Sequence, residues 1–191
     1  MAAKGGGGPK PHEVFILPVP FISCMLTIAK KLEGSGVKWA VGGETSEIIQ
    51  GVHVNPANVE VFTDKEGMEE FVKRMADYNP SPVSMVERTL DRKASHEGKE
   101  LPVLVRANQS KFVMEGVDVF VYSDYQFKVG DFEWGDSLEF DPAVVNVAGT
   151  IIPVMHSRIM SEIYLMLGWD DRVEMISDAV HRAHHALDFG F

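Results

Sequence analysis

Two acidic side chains occur at spacings that would let neighbouring strands hold a metal ion. Asn58 and Glu60 lie in the alternating segment N-V-E-V-F-T-D, and Asp118 lies in the similar segment G-V-D-V-F-V-Y. Alternation sends every second side chain to the same face of a strand, so Asn58 and Glu60 share a face. Mg²⁺ prefers oxygen ligands, and one or two carboxylates suffice when substrate phosphates complete its shell. If the two strands pair, we expect Glu60 and Asp118 to meet at a common polar end.

A glycine pair precedes the first of these strands. The apolar run over residues 37–41 predicts a buried strand that Gly42 and Gly43 terminate, and Thr45 and Ser46 then open a short predicted helix. Two interpretations of this turn stay open. Backbone amides and hydroxyls at the helix start would suit a phosphate, or the tight turn needs glycine for its conformation alone.

These residues resemble the core of the nucleotidyltransferase superfamily, in its minimal branch. In that family a glycine pair with a hydroxyl residue precedes a strand carrying two aspartates, and a later strand supplies a third carboxylate. Gly42 and Gly43 match the glycine pair. Asn58 and Glu60 occupy the two aspartate positions, and Asp118 fits the third. The resemblance covers residues 22–180 in the order of its elements.

The resemblance implies transfer of a nucleoside monophosphate from a nucleoside triphosphate to a hydroxyl, with Mg²⁺ held by Glu60 and Asp118 and assisted by Asn58. Phosphate contacts would come from Gly42, Gly43, Thr45 and Ser46. The replacement of both strand aspartates favours an alternative, a catalytically inactive relative that binds a nucleotide or a partner chain. Glu44 argues in the same direction, because it adds negative charge beside the expected phosphate.

Composition limits the other classes of function. The 191 residues carry a net charge of −10 and are 45% hydrophobic, which predicts one folded domain and excludes broad electrostatic binding to nucleic acid. No apolar run approaches the roughly 20 residues that span a bilayer, so we expect a cytoplasmic protein that does not bind membranes. The single cysteine, Cys24, excludes an internal disulfide.

The remaining chain is assigned by its periodicity. The composition of residues 1–11 predicts a flexible tail, and residues 12–191 are predicted to form a single domain. Residues 14–19 are predicted to form a short edge strand. Apolar spacing predicts helices over residues 21–33, 65–78, 156–167 and 170–187. Strands are predicted over residues 103–106, 111–114 and 117–122, with a hairpin in 144–154 and either a strand or a short helix in 85–90. The fold class is therefore α+β, a mixed sheet with helices mainly on one side and a C-terminal helix pair over residues 156–191.

Three further features lie in that helix pair. His181, His184 and His185 have the i, i+3, i+4 spacing of a metal site, although a solvated helix face explains them more simply. Arg172 and Asp178 resemble a structural ion pair of the family's closing helix. The methionine-rich helix over residues 159–167 is a candidate face for a homo-oligomer.

Overall fold

The computed structural model describes residues 17–188, with side-chain exposure through residue 183. The predicted tail over residues 1–11 and the first half of the predicted strand over residues 14–19 lie outside the described residues, as do the side chains of His184 and His185. Among the described residues, no helix is both long and apolar enough to cross a bilayer.

The predicted helices are present with small shifts at their ends. Within the described residues the α-helices are Val19–Leu32 (α1), Gly43–Ile49 (α2), Lys65–Arg74 (α3), Ser157–Met166 (α4) and Asp170–Asp188 (α5). Residues 17 and 18 are not in a strand and Val19 opens α1, so the strand prediction is wrong over residues 17–19. Pro18 and Pro20 flank this start, and proline is well tolerated in the first turn of a helix because its missing N–H would have no partner there.

One mixed sheet of seven strands forms the centre of the described residues, beside a small two-stranded sheet. The strands are Trp39–Gly42 (β1), Val59–Thr63 (β2), Ser84–Thr89 (β3), Ala94–His96 (β4), Lys99–Leu101 (β5), Val103–Met114 (β6), Val117–Val129 (β7), Pro142–Val147 (β8) and Thr150–Met155 (β9). The spatial order in the seven-stranded sheet is β3-β6-β7-β2-β1-β9-β8. The strands β2 and β7 pair in parallel, as do β1 and β9, and the other pairs of this sheet are antiparallel.

The two predicted strands over residues 103–106 and 111–114 are in fact one strand, β6. The polar stretch between them predicts a turn. In the structure the backbone stays extended and pairs with β7 on both sides of an irregularity between Arg106 and Asn108. A bulge of this kind lets a strand continue through an unpaired residue while it bends. The strand β7 likewise extends beyond its predicted end to Val129.

The sheet carries a hydrophobic core on each face. Alternate residues of β2 divide between the cores, with Val59 and Val61 in the first and Phe62 in the second. Residues of α1 and α3 pack in the first core, and residues of α4 and α5 pack in the second. The α+β class and the C-terminal helix pair are confirmed. The helices were expected mainly on one side of the sheet. Helices α1 and α3 cover the first face, and the C-terminal pair α4 and α5 covers the second, aromatic face.

Candidate functional site

The glycine turn between β1 and α2 is fixed by close packing. A Cβ on Gly42 would lie 2.3 Å from Cε2 of Phe62, and a Cβ on Gly43 would lie 2.5 Å from Oε2 of Glu60. Gly43 also has a φ of +55°, a conformation that side chains with a Cβ disfavour. Conformation and packing therefore account for both glycines. The helix that follows has only seven residues, and its amides alone do not define an anion site.

Glu60 lies beside this turn and lines a cavity of about 430 Å³. Its side chain is 23% exposed, and its Oε1 is 3.9 Å from an Arg88 guanidinium nitrogen, which is beyond hydrogen-bond range. Burial raises the pKa of the Glu60 carboxyl, Arg88 opposes the shift, and Glu44 and Glu47 add to it. Among the described residues no donor is hydrogen-bonded to this carboxylate, so its oxygens remain available to a ligand.

Asp118 shares a sheet face with Glu60 but has a different environment. In the parallel register of β2 and β7, Glu60 lies opposite Phe120, which places Asp118 two positions away on the same face. The Oδ2 atom of Asp118 is 3.2 Å from Nζ of Lys111 on β6. The structure thus brings the two predicted ligands onto adjacent strands, yet only Glu60 lines the cavity.

The predicted phosphate contacts of the turn are used inside the fold. The Thr45 hydroxyl donates to the backbone oxygen of Asn58 at 2.7 Å, and the Ser46 hydroxyl donates to the backbone oxygen of Met155 at 3.1 Å. Both residues are buried. Asn58 itself lines the cavity together with Gly43. Of the predicted site residues, Gly43, Asn58 and Glu60 therefore meet at the cavity wall.

The sequence reasoning missed a buried network that joins α2 to the C-terminal helices. Glu47 is 2% exposed, and its carboxylate accepts hydrogen bonds from the Tyr164 hydroxyl and, at 3.2 Å, from Arg172. Arg172 also donates to Glu44 at 2.6 Å, so it pairs with these two acids rather than with Asp178. Burial raises the pKa of Glu47, while Tyr164 and Arg172 oppose that shift. The i, i+3 spacing of Glu44 and Glu47 predicts a shared helix face, but it does not indicate that Glu47 is buried.

The cavity lies between the second face of the sheet and the C-terminal helix pair. Part of its wall is the segment after β3, which is held to the junction of α4 and α5. In that contact the Trp169 indole N–H donates to the backbone oxygen of Lys93 at 2.7 Å, and Arg92 donates to Asp171 at 3.0 Å. The apolar lining consists largely of aromatic rings and long aliphatic side chains, including Phe62, Tyr125, Phe127, Leu138, Met160, Ile163 and Trp169.

The three arginines among the described lining residues all have acidic neighbours. Arg172 contacts Glu44 and Glu47, and Arg92 contacts Asp171. Arg88 faces Glu60 at 3.9 Å. The cavity wall is consequently close to electroneutral, and it offers no cluster of uncommitted cations.

The donor set does not match a carboxylate-bound metal. Within the part of the chain that the structure describes, no group of three or more histidine, cysteine, aspartate or glutamate side chains is arranged to hold a metal ion. Glu60 faces Arg88, and Asp118 faces Lys111. Each of the two carboxylates therefore has a cation beside it where the resemblance implies Mg²⁺, and these neighbours, rather than the number of carboxylates, are the reason that the residues present do not fit that ion.

Structural comparison identifies the class of fold. A candidate nucleotidyltransferase from Thermotoga maritima aligns over 90% of this chain and 99% of its own, with 20% identity and a TM-score of 0.62. ANT(2'')-Ia in complex with adenylyl-2''-tobramycin aligns over 83% of this chain and 88% of its own at 7% identity and a TM-score of 0.46. An antigenic nucleotidyltransferase-like protein from Paracoccidioides brasiliensis aligns over 82% of this chain and 75% of its own, at 14% identity and a TM-score of 0.42.

The chain therefore has a nucleotidyltransferase-like fold, as its glycine turn and alternating strands indicate. The Thermotoga maritima protein carries this conclusion, and at its level of identity the likeness concerns the fold alone. No protein-family model matches the sequence, and a search of curated proteins found no match.

Proposed function

We propose that this chain is a catalytically inactive nucleotidyltransferase-like protein that binds a nucleoside-like small molecule in the cavity beside Glu60. The observation that carries this proposal is the set of three carboxylates around the glycine turn. Glu44 and Glu47 project from α2, and Glu60 packs against Gly43. Although the cavity wall as a whole is close to electroneutral, a triphosphate at this turn would lie beside carboxylates, where phosphate binding needs amide donors and uncommitted cations.

The ion pairs of Arg172 support the same conclusion. A triphosphate carries several negative charges, and proteins bind it with uncommitted Arg, Lys or metal ions. Arg172 already donates to Glu44 and Glu47, so binding a phosphate would require breaking these ion pairs. Removing the partner of a buried charge costs about 3–5 kcal/mol, which disfavours such an exchange.

The shape of the cavity favours a planar ring. Small-molecule sites in proteins are concave, mostly apolar and about 300–1,000 Å³ in volume, with a few polar groups that fix orientation. A volume of about 430 Å³, aromatic walls and the Glu60 carboxylate, which has no hydrogen-bonded donor among the described residues, match that description. The nucleoside part of a nucleotide has the size and flatness that such walls accept.

A second candidate function is Mg²⁺-dependent transfer of a nucleoside monophosphate from a nucleoside triphosphate to a hydroxyl. One specific observation favours it, the position of Glu60 and Asp118 on one face of the parallel strands β2 and β7. For this function Asp118 would have to leave Lys111, and Asn58 would have to supply its amide oxygen as a neutral ligand.

Binding measured by tryptophan fluorescence separates the two candidates. Trp169 lines the cavity, so nucleosides should quench its emission in EDTA as well as in Mg²⁺, and no pyrophosphate should be released from nucleoside triphosphates. Trp169→Phe should abolish the quenching, whereas Trp134→Phe should preserve it because Trp134 contacts Arg106 instead. Mg²⁺-dependent triphosphate binding with release of pyrophosphate, both lost in Glu60→Ala and in Asp118→Ala, would support the transferase instead.

Two broader expectations belong with this proposal. The cytoplasmic location is tested by cell fractionation. Self-association through α4 has a candidate contact in Leu165 and Met166, which are 64% and 71% exposed, and sedimentation of Met166→Gln against the native chain tests it.

A further inference from the structure

We propose that the cavity recognises a planar heterocycle with two adjacent N–H donors, and that the Glu60 carboxylate accepts both hydrogen bonds. This inference rests on the proposed function and specifies its ligand class. The 2-aminopyrimidin-4-one edge that guanine and pterin share is such a pair of donors. In this interpretation Glu60 reads the edge of a ring rather than holding a metal.

The Glu60 carboxylate can accept hydrogen bonds that no described residue supplies. An ionised carboxylate is purely an acceptor, with two oxygens in one plane. Arg88 approaches one oxygen only to 3.9 Å, and the other oxygen faces Gly43, which offers no side chain. A partly buried acceptor without a donor costs free energy, so a ligand that supplies two donors gains more here than at an exposed carboxylate.

A ligand edge with two adjacent N–H groups is complementary to a carboxylate. Two parallel N–H groups match the two oxygens of a carboxylate in the same way as an arginine fork does, and charge-assisted pairs of this kind are stronger than neutral ones. The Watson–Crick edge of guanine presents N1–H beside an exocyclic amino group. The corresponding edge of adenine presents one donor and one acceptor, and its acceptor would face a carboxylate oxygen.

The aromatic side chains that line the cavity are held in place by contacts with one another. Tyr125 packs edge-on against Phe62 at 5.2 Å and against Phe127 at 5.3 Å between ring centroids. Trp169 stacks on Tyr164 at 5.5 Å. These contacts fix the rings before any ligand enters, and preformed walls lower the entropic cost of binding a flat molecule.

The test compares probes that differ by single donors. Guanosine, inosine, adenosine and pterin are titrated in EDTA at about pH 8, with Trp169 quenching and calorimetry as readouts. Inosine keeps N1–H but lacks the 2-amino group. Loss of one hydrogen bond to a charged group corresponds to about 10- to 100-fold in affinity, so guanosine should bind tighter than inosine by that factor. The affinity of pterin relative to guanosine shows whether the ribose contributes.

Variants assign the effect to Glu60. Glu60→Gln replaces one acceptor by a donor at constant size and should weaken guanosine by about 10-fold or more while leaving inosine less affected. Glu60→Asp keeps the charge but withdraws it by one methylene, and it should also weaken guanosine. Glu87→Gln makes the same exchange at an exposed position of β3 that does not line the cavity, and it should change nothing. Thermal unfolding checks that each variant is folded.

The outcomes separate this inference from the proposed function. Equal affinity for guanosine and inosine, or guanosine binding unchanged in Glu60→Gln, would overturn the recognition of the ring edge by Glu60. The proposal that the cavity binds a nucleoside would remain. Absence of binding by all four probes overturns both proposals. Guanosine binding that needs Mg²⁺ and is lost in both Glu60→Gln and Asp118→Asn overturns both in favour of a metal site.

Discussion

Gly43 shows how closely one residue can be constrained by its neighbours. Its φ of +55° would strain a residue with a side chain, and a Cβ would meet the Glu60 carboxylate at 2.5 Å. We expect Gly43→Ala to lower the free energy of unfolding by about 2–3 kcal/mol, of which roughly 1–2 kcal/mol is the left-handed conformation. Urea unfolding measures this loss.

Gly51→Ala is the matched control for that substitution. Gly51 has a φ of +87° but open space around its Cα, with no atom within 4 Å of a built Cβ. It should show the conformational cost alone. If Gly43→Ala were no more destabilising than Gly51→Ala, the contact with Glu60 would not restrict the position.

Glu60 is predicted to make stability depend on pH. Burial is the main cause of its raised pKa, with Arg88 opposing and Glu44 and Glu47 reinforcing. A carboxyl whose pKa is higher in the folded state binds more protons when folded, so its effect lowers stability as pH rises from about 4.5 through the raised pKa. Glu60→Gln removes this loss, and its melting temperature at neutral pH should exceed that of the native chain.

The pH profile supplies its own control. Below about pH 4.5 the Glu60 carboxyl is protonated, so it is neutral like the glutamine that replaces it. The difference in melting temperature between Glu60→Gln and the native chain should therefore narrow there. A variant that is less stable than the native chain at neutral pH would mean that attraction to Arg88 outweighs desolvation. In that case Glu60 would be a structural ion pair and not an acceptor held ready for a ligand.

At the scale of elements, Arg172 joins helix α5 to helix α2. It donates to Glu44 and Glu47, and Tyr164 of α4 donates to the same Glu47 carboxylate. Arg172→Ala leaves the buried Glu47 without its cation, and the expected loss is about 3 kcal/mol or more in the free energy of unfolding. Chemical denaturation at neutral pH measures this loss.

Two comparisons assign that loss to the buried charge. Arg182→Ala removes an exposed arginine of the same helix that donates to the backbone oxygen of Gly51 at 3.0 Å, and it should cost under about 1 kcal/mol. Adding Glu47→Gln to Arg172→Ala should restore part of the stability, because a neutral amide leaves no uncompensated charge. A loss in Arg172→Ala equal to that in Arg182→Ala would contradict the role of this network.

At the scale of the whole molecule, both cores are built on one sheet. Trp39 belongs to the core beneath α1 and α3, and Trp169 packs against the core beneath α4 and α5. Because strands such as β2 contribute residues to both cores, we expect one cooperative unfolding transition. Variants that retain only Trp39 or only Trp169 as the fluorophore should unfold at the same denaturant concentration. Separate midpoints would show that the C-terminal helices unfold independently of the sheet.

Local patterns predicted the helices and short strands well. The apolar spacing in α3 and α4 and the alternation in β2 are properties of a few neighbouring residues, and each side chain on the buried face adds to the same signal. The continuous strand β6 was missed because its polar middle is stabilised by pairing with β7, a partner that the local sequence does not reveal.

The candidate site was predicted only in part. Glu60, Asn58 and Gly43 were expected together, because strand alternation and the glycine turn place them within a short stretch of chain. The network of Glu47, Tyr164 and Arg172 spans more than one hundred residues. No spacing rule connects such distant positions, so its existence became apparent only in the folded chain.

The sequence by itself determined the class of fold, because periodicity and glycine positions act over distances of a few residues. The tertiary structure decided the use of the site. Burial and ion pairing depend on groups brought together from distant elements. In the folded chain Lys111 pairs with Asp118, and Arg172 pairs with Glu47. Glu60 is left as a partly buried carboxylate that faces the cavity without a hydrogen-bonded donor among the described residues. Whether a carboxylate is neutralised depends on the cations that lie next to it in the folded chain. For this reason the sequence alone did not determine which class of ligand the site binds.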